Sequence, residues 1–311
     1  MSMMEFFLNY FLDIKPLLFV LGLYLFYKYG QTKQNLHIKV GHKGPPPWPY
    51  IGNFIDIFRF GVHEMDIMNH KKYGNIYPFY LGNIRSCIVS DEKILKQILI
   101  KEAKYFTDRL DIGFNGKSTE KMLTVLKGKD WERVRNLVSP TFTSGKLKKD
   151  EITYETLIKM RLLDAAISET LRICPPASRI DRACTQDVVL TASDGSKITA
   201  NKGDVFTVPI YSIHMDSSIW PNPNKFDIHR FDDENKKTRG AYSFMPFGMG
   251  PRNCVGMRFA LLEVKWAIVT ILQKFEIVPC PETLDELKFK KSGLTAPIKP
   301  ILLKVVKRSQ N

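Results

Sequence analysis

Along the chain the rhythm of apolar positions changes several times, and each rhythm predicts an element. Residues 16–27, PLLFVLGLYLFY, are uninterrupted and apolar, and Phe6, Phe7, Leu8, Phe11 and Leu12 extend the run upstream past Asp13 and Lys15. Counted over 6–29, the stretch reaches the roughly 20 residues of a spanning helix. No small-residue cleavage site follows it, so it reads as a retained transmembrane anchor. Lys28, Lys33, Lys39 and Lys43 come next with no acid among them, while Glu5 and Asp13 precede it. The positive-inside rule then puts the rest of the chain in the cytoplasm. Residues 41–53, GHKGPPPWPYIGN, hold three consecutive prolines and read as a stiff polyproline II hinge.

Beyond the hinge, IYPFY and RSCIVS flank Leu81, Gly82, Asn83 and Ile84, the pattern of a β-hairpin. DEKILKQILIKEA, from Asp91 to Ala103, opens with an acidic cap and repeats Ile94, Ile98 and Leu95, Leu99 at helical spacing. GKDWERVRNLVSP predicts a short helix closed by Pro140, and residues 153–172 predict a longer one ended by Pro175 and Pro176. VVLTASDGSKITANKGDVFTVP reads as three short strands turned at Asp194-Gly195 and at Asn201-Lys202-Gly203. Residues 257–275 predict a strong helix, and PIKPILLKVVKR a closing strand. The predicted class is mainly α with small β-sheets (α+β), with the anchor at 6–29, the hinge at 41–53 and one globular body over 54–311.

Composition narrows the function. Of 311 residues, 44% are hydrophobic and 25% charged, the balance of a folded protein. The formal charge of +14 suits an anionic partner, but no basic run is interleaved with aromatics, which argues against nucleic acid. Five scattered cysteines without a CxxC pair form neither a disulfide framework nor a zinc ribbon. Cys87, Cys174, Cys184 and Cys280 read as packed structural thiols.

Cys254 is different. In FMPFGMGPRNCVGMRFA, Phe247, Gly250, Arg252, Cys254 and Gly256 stand at spacing F-x-x-G-x-R-x-C-x-G and lead straight into a helix. The two glycines let backbone approach a flat ligand closely. A thiolate near a helix N-terminus meets free N–H groups and a favourable dipole, which lowers its pKa. With one Cys and no companion ligands, the metal it suits is one already held by four ring nitrogens, a haem iron. Three other matches follow in order: Trp131 and Arg135 in WERVR, the segment SPTFTSGKLK, and Glu169 with Arg172 in ETLR ahead of Arg230 in FDIHRF. The members of the first and third pairs each share a helix face.

Together these residues resemble a cytochrome P-450, specifically the microsomal, drug- and steroid-oxidising branch of animals. The resemblance implies haem b (iron protoporphyrin IX) with Cys254 as axial ligand, framed by Phe247, Gly250 and Gly256. It places Trp131, Arg135, Arg252, Arg109 in YFTDR and Arg182 in IDRAC near the haem propionates; for Arg109 and Arg182 the alternative is an ordinary surface arginine. Glu169, Arg172 and Arg230 become a buried charge network. The implied activity is insertion of one oxygen atom of O2 into an apolar small molecule, with NADPH electrons delivered by a reductase. The implied location is the endoplasmic reticulum membrane, single-pass, with the catalytic body in the cytoplasm.

One departure is large. In the family about two hundred residues separate the SPTFTSGKLK segment from the E-x-x-R helix, far beyond an ordinary loop. Here only Lys149 and Asp150 stand there, and no A-G-x-[DE]-T motif occurs. The chain therefore reads as internally shortened near 149–150, without the distal oxygen-activating helix and its acid–alcohol pair, which leaves the catalytic residues unknown. Two alternatives stay open: a catalytically impaired, membrane-anchored isoform that binds haem or the reductase, and a haem-thiolate isomerase of peroxides.

Overall fold

A computed structural model of the chain describes residues 3–35, 41–82, 84–110, 122–139, 154–284 and 286–308. The N-terminal apolar run is helical, within α1 (Met3–Asn35), and every apolar side chain over 17–27 is exposed. The expected spanning anchor finds no support, since among the described residues no helix is long and apolar enough to cross a membrane. Asp13 and Lys15 break the apolar run in the sequence. The clean run over 16–27 rises about 18 Å, well short of a roughly 30 Å hydrocarbon core.

The far end of α1 is clamped to the hinge. The Phe26 and Tyr50 rings stack at 4.2 Å, and the Tyr50 hydroxyl donates to the Phe26 carbonyl at 2.9 Å. Gly30 lies beneath the same ring, where a β-carbon would stand 2.6 Å from Tyr50 Cε2. Tyr50 itself sits at φ 63, a left-handed conformation that costs a bulky residue energy.

Two helices that the periodicity did not announce follow, α2 (Phe54–Phe60) and α3 (Val62–Tyr73). Then comes the expected hairpin, β1 (Ile76–Leu81) and β2 (Ile84–Val89), paired antiparallel with Leu81 opposite Ile84. Gly82 takes the positive φ its turn needs; Asn83 lies outside the described residues. Asp91 caps α4 (Glu92–Lys96), accepting from Ile94 N at 3.0 Å. The predicted helix continues as a π-turn over Gln97–Lys101 and a 3-10 turn over Ala103–Tyr105. α5 (Gly128–Val138) is the predicted Trp131 helix. Pro140, the SPTFTSGKLK segment beyond Ser139 and the join at 149–150 lie outside the described residues.

The single long helix expected over 153–172 is two, α6 (Tyr154–Ile158) and α7 (Arg161–Ile173). No Gly or Pro breaks it; a distant lysine takes its carbonyl. Lys265 Nζ donates to Leu157 O at 3.2 Å and pairs with Asp164 at 2.5 Å, satisfying a group the helix would otherwise use. β3 (Ile180–Ala183), unforeseen, precedes the three expected strands β4 (Val188–Thr191), β5 (Lys197–Ala200) and β6 (Val205–Val208). β4 and β5 form their own ribbon. β6 instead joins a sheet ordered β1-β2-β6-β3, parallel to β2 and antiparallel to β3. Short helices α8 (Ile210–His214) and α9 (Asp233–Lys237) lead to α10 (Met257–Lys274), and β7 (Phe275–Val278) pairs with the expected closing strand β8 (Lys304–Lys307).

The main core lies between this sheet, α4 and the π-turn, built on Val89, Ile94, Ile98, Leu99, Phe206 and Val208. A second cluster seats α3 on the sheet through Met65, Tyr77 and Phe79. There Asp66 receives Arg179 Nε at 2.6 Å and the Tyr77 hydroxyl at 3.3 Å. The surface of α10 is different. α10 buries only Leu262 and Lys265 and leaves Phe259, Val264, Ile271 and Leu272 exposed, while Leu137 of α5 and Leu162 of α7 are about 70% exposed.

Candidate functional site

The loop before α10 brings Cys254 to the surface. Cys254 N donates to Phe247 O at 2.8 Å, Asn253 N to Gly250 O at 3.0 Å, and Gly256 caps the helix, its carbonyl accepting from Ala260 N at 2.8 Å. Phe247 thus holds the cysteine through its backbone. Gly250, at φ 80, presses on the Leu99 carbonyl of the π-turn so closely that a β-carbon could not fit. The expected close approach is therefore to the protein's own backbone. Cys254 is exposed, whereas Cys87 and Cys184 are buried and Cys174 and Cys280 half-buried.

Around that loop the structure gathers Arg109, Arg135, Arg182 and Arg252. Arg252 lies 3.9 Å from the centre of the Trp131 ring and donates to Leu126 O at 2.7 Å. Arg109 Nη2 reaches Arg252 O at 3.5 Å. Arg182, on β3, is buried and donates to Asp181 O at 2.9 Å and to Met249 O at 3.5 Å. Arg135 grips the residue beside the cysteine, with Nη1 on Asn253 O and Nη2 on Asn253 Oδ1, both at 2.8 Å. Burial, followed by repulsion from Arg109, pushes both Arg182 and Arg252 down to about 10. Burial also lowers Arg109 and Arg135, although the Cys254 sulfur favours the charge on each.

These shifts describe a cluster short of anions. Two carboxylates offset the four guanidiniums: Asp108, 3.9 Å from Arg252, and Asp181, whose charge favours Arg109 and Arg182. The Nε atoms of Arg109 and Arg252 are buried without a hydrogen-bond partner, a costly state for a charged donor. A dicarboxylate would balance the charge and satisfy the orphaned donors, so the donor set fits a porphyrin with two propionates beside an accessible thiol. Arg109 and Arg182 belong to this cluster and are not ordinary surface arginines.

The second constellation centres on the buried pair of Glu169 and Arg172, while Arg230 is half-buried and its Nε has no hydrogen-bond partner. Glu169 and Arg172, both 0% exposed, pair through Nε–Oε2 at 2.7 Å and Nη2–Oε1 at 2.8 Å. Arg230 Nε lies 3.3 Å from Glu169 Oε1, which also accepts from Asp227 N at 3.0 Å. Arg172 Nη1 donates to His214 O at 2.8 Å, Nη2 donates to Pro223 O at 2.7 Å, and the guanidinium faces the Trp220 ring.

His214, which carries no sequence signal, links this network to the cysteine loop. Its Nδ1 lies 3.2 Å from Arg172 O, and its Nε2 accepts from Met245 N at 3.0 Å, at the start of the loop. Acceptance at Nε2 fixes the neutral Nδ1–H tautomer. Burial, the dominant cause, pushes His214 down to about 3. The unfolded chain, titrating near 6.5, therefore binds this proton first on acidification. His214 supports the fold fully above pH 6.5 and loses that support progressively between 6.5 and about 3, by at most about 1.4 kcal/mol per pH unit. Urea titrations at pH 7.5 and 5 should show this loss, and His214→Gln should flatten it.

Comparison with known proteins follows the same residues. The family model described as Cytochrome P450 matches residues 43–151 and 147–305, most of the chain. Cytochrome P450 3A31 of Mesocricetus auratus is 25% identical over 488 residues, covering 94% of this chain and 96% of the hamster protein. Cytochrome P450 3A9 of Rattus norvegicus is 25% identical over 493 residues, covering 94% and 97%. Cytochrome P450 3A12 of Canis lupus familiaris reaches 41% identity over 177 residues, 57% of this chain and 33% of the dog protein. A cysteine loop amid unbalanced arginines and a family match on both sides of 147–151 agree: the chain belongs to the cytochrome P450 family.

Proposed function

We propose that this chain is a haem-thiolate protein of the monooxygenase type, with Cys254 as the axial ligand of haem b and with Arg109, Arg135, Arg182, Arg252 and Trp131 holding the propionates. The family works with haem b and with NADPH electrons supplied by a reductase. Bound here, the haem would activate O2 for insertion into an apolar small molecule. The observation that carries this reading is the four-arginine, two-aspartate cluster beside an exposed thiol. The residues have separable tasks: the arginines neutralise two carboxylates, the Phe247 carbonyl holds the cysteine backbone, and the Glu169 network with His214 fixes the loop's start. A basic chain of charge +14 suits an acidic reductase. The exposed apolar run over 17–27, with Lys28 after it, suits association with the endoplasmic reticulum membrane.

The same reading includes an internal shortening near 149–150. Two facts support it. The family model matches in two pieces that meet at 147–151, and an alignment of 488 positions exceeds a chain of 311 residues. The lack of an A-G-x-[DE]-T motif favours impaired turnover, since no such acid–alcohol pair is there to relay protons. Reconstitution with haemin, reduction under carbon monoxide and addition of reductase and NADPH test both parts. A thiolate-type Soret band, with more NADPH consumed than product formed, is expected; no thiolate band would overturn the assignment of Cys254, and one product per NADPH would overturn the impairment.

A further inference from the structure

Asn253 fills an unassigned x of the F-x-x-G-x-R-x-C-x-G spacing, yet it receives both Nη donors of Arg135, one on its carbonyl and one on its amide oxygen, at 2.8 Å each. The two residues lie 118 positions apart, so the contact ties α5 directly to the residue before Cys254. An arginine so held is oriented in advance, and less side-chain freedom is lost when it meets an anion. Half-buried Asn253 and Arg135 sit at the rim of the cluster, not in the core. We infer that Asn253 is a positioning residue, fixing the Arg135 guanidinium beside the thiol so that it is ready to pair with a haem carboxylate. The inference rests on the haem-thiolate reading and deepens it.

The test is a haemin titration of the full chain, following the Soret band and fitting affinity and stoichiometry separately, for the unsubstituted chain, Asn253→Ala, Arg135→Ala and the double variant. Arg135→Ala and Asn253→Ala are each expected to weaken haemin binding about tenfold, as loss of a charged hydrogen bond does. The double variant should be no weaker than Arg135→Ala alone, because the asparagine acts through the arginine. All variants should keep one haemin per chain and a thiolate-type carbonyl spectrum. An asparagine that merely supports the fold would lower stoichiometry and leave affinity unchanged; that result, or additive losses in the double variant, overturns the inference alone. If the unsubstituted chain binds haemin without the thiolate spectrum, or binds none, the haem-thiolate reading fails and this inference fails with it.

Discussion

Replacing Cys254 by alanine is expected to abolish the thiolate-type Soret band of the reduced carbonyl complex, while Cys280→Ala should leave it intact. Of the five cysteines, Cys254 alone is exposed, and it alone lies within the field of Arg109 and Arg135. Cys87 and Cys184 are sealed in the core, where burial raises both thiols, Cys87 to about 12. A buried thiol held protonated is a poor metal ligand. The arginine cluster is untouched by the substitution, so haemin should still associate through its carboxylates, more weakly and with an altered spectrum. A thiolate spectrum that survives in Cys254→Ala would place the ligand elsewhere.

Glu169→Gln is expected to destabilise the protein by about 3–5 kcal/mol, the cost of breaking a buried pair from one side. That is a large share of the 5–15 kcal/mol that holds a typical domain. Arg172 has no solvent access, so water cannot take the place of the lost carboxylate. A glutamine would place an NH2 against the guanidinium, so one donor opposes another. Arg230 loses the same partner. Because Arg172 supports His214 and His214 holds Met245 N, haemin stoichiometry should fall together with urea stability. Arg161→Ala is the control: it breaks only the exposed pair with Asp233 and should cost no more than about 1 kcal/mol. Unchanged urea stability and haem content in Glu169→Gln would remove the network from the account.

What the sequence makes legible is local. The cap at Asp91, the turn at Gly82, the helix behind Cys254 and the i,i+3 pair of Glu169 and Arg172 all follow from neighbouring residues. The misses have distant causes. The break between α6 and α7 coincides with a contact from Lys265, about a hundred residues away, to the Leu157 carbonyl. β3 forms because β6 lies beside it, and this pairing brings Arg182 into the arginine cluster. Asn253 and His214 carry no pattern, since their partners, Arg135 and Arg172, approach only through tertiary structure. The anchor lacks support for a simpler reason: hydrophobicity is legible, but Asp13 and Lys15 shorten its clean length.

The stacked rings of Phe26 and Tyr50 have a mechanical consequence. With Gly30 seated under the same ring, α1 packs directly on the hinge. Whatever surface takes hold of the helix also takes hold of the hinge, and cutting that contact would let the two swivel apart.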